Sequence, residues 1–192
     1  DKDIIRNRNK LSFIISDAFD LSESNFNKFL SIPHPLACTV IPDGNAIIRA
    51  DSMRNYRKEY AILLDDGISD SKMRLKQEYQ KEILRGSITN IITSFKNSRF
   101  YIVDEMSSLY KSPIYNFVRD EFKRHEIDLV SKSTLVELTA EEDSELYSKL
   151  KFYCNDTTGS RYKVFICSFE NYRKILPELD GYRKMGNKII PL

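Results

Sequence analysis

Apolar positions along the chain fall into two alternating periods. Short unbroken runs read as buried strands, and stripes spaced three and four apart read as helices packed on them. Leu11–Ser16 is such a run and ends at Asp17. Ser22–Leu30 follows as a short helix, with Ser22 or Ser24 as N-cap and Phe26, Phe29 and Leu30 on one face. Pro33, His34 and Pro35 break the chain, Leu36–Ile41 is again strand-like, and Pro42–Asn45 reads as a turn. Between residues 45 and 95 the spacing predicts helices. One covers Ser52–Leu64, with Met53, Tyr56, Tyr60 and Leu63 aligned; a long one covers about Ser69–Phe95, with Asp65, Asp66 and Gly67 as the turn between them. From Arg99 onward the alternation is regular. Strands at Arg99–Val103, Ile127–Val130, Tyr162–Cys167 and Lys188–Pro191 are separated by helices at Pro113–His125, Thr139–Tyr153 and Glu170–Leu179. Ser112 and Pro113 suit the first helix start, and Thr139 with Glu142 has capping-box spacing for the second.

That order implies an α/β fold with a mostly parallel central sheet and helices on both faces, a Rossmann-like three-layer arrangement with a helical excursion around residues 45–95. At 192 residues one domain accounts for the chain. It opens on Asp1 rather than Met, as an excised domain or a processed product does.

Composition narrows the picture by exclusion. Thirty basic and 28 acidic residues leave a net charge of +2, so contact with nucleic acid would need a local basic patch. The three cysteines, Cys38, Cys154 and Cys167, are far apart and form no paired motif, which predicts buried free thiols in a reducing, cytoplasmic setting. Two isolated histidines, His34 and His125, exclude a histidine-rich metal centre. No apolar run is long enough to span a membrane. Phosphate-cradling glycine loops and the GxSxG elbow are absent from the sequence.

In open parallel sheets, ligands bind beyond the carboxyl ends of the strands. The predicted strands end at Asp17, at Asp104 and Glu105, at Ser131 and Lys132, and at Ser168 with Glu170 close behind; Glu141, Glu142 and Asp143 open a helix. Such carboxylates suit Mg2+ or Mn2+, hard cations that take oxygen ligands. They equally suit helix N-termini, where negative charge meets the helix dipole. Arg54, Tyr56, Arg57 and Lys58 combine phosphate-neutralising charge with an aromatic ring for stacking. On solvated helix faces the same residues would be balanced by Glu59, Glu78 and Glu82.

The succession of a strand ending at Asp17, a strand ending at Asp104, the acidic start Glu141–Asp143 and the run Ser168–Asn171 resembles PIN-like domains and 5′-nucleases of the flap-endonuclease kind. The pattern departs at Glu170 and Asn171, where that family has aspartates, and at Ser144. The resemblance implies a metal-dependent nuclease, or a degenerate relative that still binds nucleic acid. Its expected catalytic residues are Asp17, Asp104, Glu141, Glu142 and Glu170, and its expected metal ligands are Asp17, Asp104 and Glu142. The alternatives are a non-enzymatic protein-interaction module within a larger assembly, and an enzyme acting on a small phosphorylated substrate in the same crevice.

Overall fold

A computed structural model describes residues 9–156 and 158–192. Among them are eight strands and seven α-helices, and the fold is α/β with a mostly parallel sheet and helices around it. The chain divides into two compact units.

The first unit holds the chain up to Cys38, Arg57–Glu59 and Leu135–Leu192. Its centre is β1 (Lys10–Ile15), whose Leu11, Phe13, Ile14 and Ile15 are all buried. A strand buried on both faces reads as a continuous apolar run rather than an alternation, which is why it was legible. β7 (Tyr162–Cys167) pairs with β1 over its full length, from Lys10 opposite Tyr162 to Ile15 opposite Cys167. The other edge of β1 is shared. β8 (Lys188–Ile189) pairs with its first two residues, and the start of β2 (Ala37–Val40) pairs with Ile14 and Ile15. β6 (Val136–Glu137), which the sequence reading lacked, pairs with β7. All these pairings are parallel.

Three helices serve this unit: α1 (Glu23–Ser31), α6 (Asp143–Asn155) and α7 (Phe169–Lys184). Ser22 caps α1, accepting from the Asn25 amide, as its position ahead of an apolar stripe predicts. The expected capping box at Thr139 is not used: α6 begins four residues later, with Glu142 at its N-cap position. At its far end, buried Asn9 donates to the carbonyls of Tyr153 (2.9 Å) and Asp156 (2.8 Å), satisfying groups the helix leaves unpaired. Phe13 stacks on Phe165 (5.0 Å between centroids) and meets Tyr172 edge-on (5.3 Å), joining strands and α7 in one aromatic core.

The second unit holds Thr39–Tyr56 and Tyr60–Thr134. Its strands run in the order β3 (Glu59–Leu64), β4 (Tyr101–Val103), β5 (Leu129–Ser131), each parallel to the next. The helix expected over Ser52–Leu64 is therefore a strand for half its length, preceded by α2 (Gly44–Met53) and a 3-10 turn at Arg54–Tyr56. Tyr60, Ala61, Ile62 and Leu64 are buried on both faces, which a central strand requires and a one-sided helix does not. The long helix expected from Ser69 shrinks to α3 (Lys81–Ser94). The residues before it form an irregular loop, pinned where Asp70 accepts from the amides of Lys72 (2.8 Å) and Gly44 (3.2 Å) and where Asp43 accepts from the Ser69 hydroxyl (3.1 Å). After β4 come the single-turn α4 (Ser108–Lys111) and then α5 (Tyr115–Arg124). α3 packs on α5 through Arg85, which pairs with the buried Glu121 (3.3 Å).

The three cysteines are free and buried, and burial holds the Cys154 thiol up at about 12. None of the helices, among the described residues, is long and apolar enough to cross a membrane.

Candidate functional site

The carboxyl ends of the second unit's strands gather four carboxylates. β3 runs straight into Asp65, Asp66 and Gly67. Asp65 Oδ1 accepts from the Gly67 amide at 2.7 Å, a side-chain turn that places the carboxylate at the strand end. A Cβ on residue 67 would stand 3.0 Å from that oxygen and 3.1 Å from Cδ1 of Ile41, so glycine is what the turn accommodates. Asp66 accepts from the Ser108 amide (2.9 Å) and hydroxyl (2.5 Å) at the start of α4, and these donors hold its carboxyl below the ordinary range. Beyond β4, Asp104 accepts from Lys132 Nζ (2.9 Å) and the Met106 amide (2.8 Å), the lysine contact being the main cause of its lowered pKa. Glu105 accepts from the Ser133 hydroxyl (2.6 Å) and is likewise lowered.

Asp65 differs from the other three. Burial raises its carboxyl above the ordinary value, and the charges of Asp66 and Asp104 add to the rise; the Gly67 amide and Lys132 oppose it. Asp65, Asp66 and Gly67 form the floor of a cleft of about 570 Å3. One wall is the irregular loop, through Ile68, Ser69 and residues 74–78, and the other is Ser108, Leu109 and Ser112. Carboxylates, hydroxyls and the Gln77 amide share the lining with three aliphatic side chains, Ile68, Leu75 and Leu109, and with two cations, Arg74 and Lys76.

The residues singled out from the sequence are placed differently. Asp17 accepts from the Phe169 amide at 2.7 Å, and so completes the first turn of α7. Glu142 is exposed at the start of α6, where Ser144 donates to it, and Glu141 beside it is exposed as well. Glu170 shares Lys174 with Asp143 (3.2 and 3.0 Å). Only Asp104 belongs to the carboxylate group just described. Of the basic segment, Arg54, Tyr56 and Arg57 are exposed, but Lys58 is buried. Its Nζ donates to the carbonyls of Ile32 (2.5 Å) and His34 (2.9 Å), so it is not presented to a phosphate backbone. Among the described residues, no group of three or more His, Cys, Asp or Glu side chains is arranged to hold a metal ion.

Asp65 and Asp66 escaped the sequence reading because β3 did. Assigned to a turn between two helices, they had no strand end to mark; an apolar run from Tyr60 to Leu64 closed by two aspartates and a glycine was the available signal.

Comparison with known proteins bears on the fold. No protein-family model matches the chain, and no curated protein matches it. Solved structures do. The uncharacterized protein ATU2773 from Agrobacterium tumefaciens C58 superposes with a TM-score of 0.60 at 12% identity, over 96% of this chain and 88% of that one. BA3943 from Bacillus anthracis, a pseudoenzyme of the CE4 family, gives 0.59 at 9% identity, over 95% of this chain and 63% of that one. The polysaccharide deacetylase Bc1974 from Bacillus cereus gives 0.51 at 12% identity, over 96% and 92%. The chain thus shares its fold with polysaccharide-deacetylase-like structures. This overturns the resemblance to PIN-like domains and flap endonucleases, and with it the nuclease and nucleic-acid reading. The contacts above agree: of the acidic residues that mimic the nuclease order, Asp17 is taken up by the first turn of α7 and Glu170 and Asp104 by lysines.

Proposed function

We propose that this chain is a carbohydrate-directed domain that binds a sugar in the cleft beyond β3. The observation that carries the reading is the cleft itself: a carboxylate with an open oxygen at its floor, serine hydroxyls on both walls, and Ile68 and Leu109 offering apolar surface. Sugars present hydroxyls as donors and acceptors around a weakly apolar ring, and polar groups placed on a partly apolar wall are what orients such a ligand. The shared fold supports the reading, since one neighbour is a polysaccharide deacetylase and another a pseudoenzyme of the CE4 family. Asp65 is the acceptor of ligand hydroxyls, and Ser69, Ser108 and Ser112 flank it.

The test is an amide chemical-shift titration with neutral, N-acetylated and amino oligosaccharides. Shifts concentrated at Gly67, Ser69 and Ser108, saturating at or below about 1 mM, are the expected result. No shift at the cleft with any of the three classes overturns the reading. An acetate-release assay on the N-acetylated oligosaccharide, run beside it, separates binding from deacetylation.

A further inference from the structure

Three parallel strands of the first unit begin at one common end, and that end carries surplus positive charge. Lys10 opens β1 and pairs in register with Tyr162, which opens β7, and with Lys188, which opens β8. Arg161 stands just before Tyr162, and its carbonyl accepts from the Lys10 amide (2.8 Å). Two helices finish at the same place. Asn9 binds the last carbonyls of α6, and Asn187, which accepts from the Asn9 amide (3.2 Å), donates to the Tyr182 carbonyl near the end of α7 (3.1 Å). Lys10, Arg161, Lys188 and the final residue of α7, Lys184, are exposed, and their side chains have no acidic partner among the described residues. The acids close to them in the chain are already engaged, Asp156 by Lys163 (2.8 Å) and Asp180 by Arg183 (3.0 Å). Large apolar side chains stand out at the same end: Phe152 in the last turn of α6 is 64% exposed, Tyr162 is 41% exposed, and Met185, next after α7, is 44% exposed. One such residue is ordinary on a surface, but three beside four unpaired cations call for a partner.

From this conjunction we propose that the amino end of the first unit's sheet docks on an anionic phospholipid surface. Lys10, Arg161, Lys184 and Lys188 pair with lipid phosphates, while Phe152, Tyr162 and Met185 enter the headgroup region. Charge complementarity alone asks only for an anion. The apolar side chains decide which kind: a soluble polyanion can neutralise the cations, but it offers a phenyl ring and a thioether nothing to enter. The boundary between headgroups and acyl chains takes both out of water. A tyrosine suits that depth, its ring among apolar groups and its hydroxyl among the headgroups. The attachment is peripheral, and it stands apart from the carbohydrate reading, since none of these residues lines the cleft.

Co-sedimentation of the full chain with vesicles tests the proposal, comparing pure phosphatidylcholine with phosphatidylcholine carrying about 30% phosphatidylglycerol at about 0.1 M salt. Binding to the anionic vesicles should exceed binding to the neutral ones at least about tenfold, and should fall steeply as salt rises to about 0.5 M. Lys10→Gln, Arg161→Gln and Lys188→Gln combined should lower it about a hundredfold, at about fivefold per charge. Phe152→Gln alters no charge; it should weaken binding several-fold and leave the salt dependence as it was. If the triple variant lacks native circular dichroism, Lys188→Gln alone carries the charge test, with a loss of about fivefold expected. No binding to anionic vesicles at low salt, or equal binding to neutral ones, overturns the proposal. So does a folded charge variant that binds as wild type. A Phe152→Gln protein that binds as wild type, or a chain that binds dextran sulfate and no vesicle, overturns the lipid assignment and makes this end a site for soluble polyanions.

Discussion

The two units meet the same problem at their strand ends and solve it differently. In the first, β7 passes into α7 with one residue between them, Ser168, which caps the helix by accepting from the Asn171 amide. Asp17, from the end of β1, accepts from the next exposed amide, at Phe169, and Lys174 gathers Asp143 and Glu170. Asp17 is thus taken up in starting a helix and Glu170 in a lysine pair, while Glu141 and Glu142 stay exposed at the start of α6. In the second unit the chain leaves β3 and travels from Asp65 to Gln80 before α3 begins. A cleft opens between that long loop and α4, and one Asp65 oxygen has no hydrogen-bond donor among the described residues. The long connection after β3 leaves Asp65 beside a cleft, while Asp66 next to it still meets the start of α4 as Asp17 meets α7.

The comparison predicts that changes in the first unit alter stability and leave sugar binding alone. The largest effect belongs to Lys58, buried there with only the carbonyls of Ile32 and His34 as its hydrogen-bond acceptors among the described residues. Burial pushes its amine down to about 8 from 10.5. Below pH 8 both the folded and the unfolded chain hold the proton, and the folded state bears the full penalty. Between pH 8 and 10.5 the unfolded chain holds more protons, so this group's contribution to stability rises with pH, by at most about 3 kcal/mol. Buried tyrosines and thiols, among them Tyr101 and Cys154, are raised and oppose this trend by losing stability as pH rises. The difference between wild type and Lys58→Met isolates the lysine: the gap between their guanidinium midpoints should shift in favour of wild type from about pH 7.5 to 10. A gap independent of pH would show that Lys58 titrates normally.

Asp17→Ala comes next. It leaves the Phe169 amide without its acceptor at the start of a 16-residue helix, and should cost about 1–2 kcal/mol in denaturant melts. Sugar affinity should be unchanged. A loss of binding with no loss of stability would return Asp17 to the list of site residues and break the contrast between the units.

Much of the first unit was legible because its strands are continuous apolar runs and its first helix carries Ser22 as a side-chain cap. The second unit was harder for a physical reason. Met53, Tyr56, Tyr60 and Leu63 keep helical spacing, although Tyr60 lies in a strand and Tyr56 is exposed. A short apolar run has no period of its own, so neighbours at helical spacing outvote it. In the following loop, Leu75 and Tyr79 mimic a stripe, yet both are only half-buried; the buried anchor is Met73. Asp104 was found because its strand was found, and Asp65 was missed because its strand was not.

Gly67→Ala carries the smallest cost in stability and the sharpest consequence for the comparison. The new methyl would press on Asp65 Oδ1 at 3.0 Å and on Ile41 Cδ1 at 3.1 Å. Both are side-chain atoms at a partly exposed turn, so the strain should stay near 1 kcal/mol. Relief comes most readily by rotating the Asp65 carboxylate away from the Gly67 amide, which removes the turn that holds this carboxylate at the edge of the cleft. Sugar affinity should therefore drop several-fold while the melting transition barely moves, the inverse of Asp17→Ala. A Gly67→Ala protein that binds as wild type would mean that the cleft does not depend on how Asp65 is aimed, and the second unit's strand end would then be as inert as the first's.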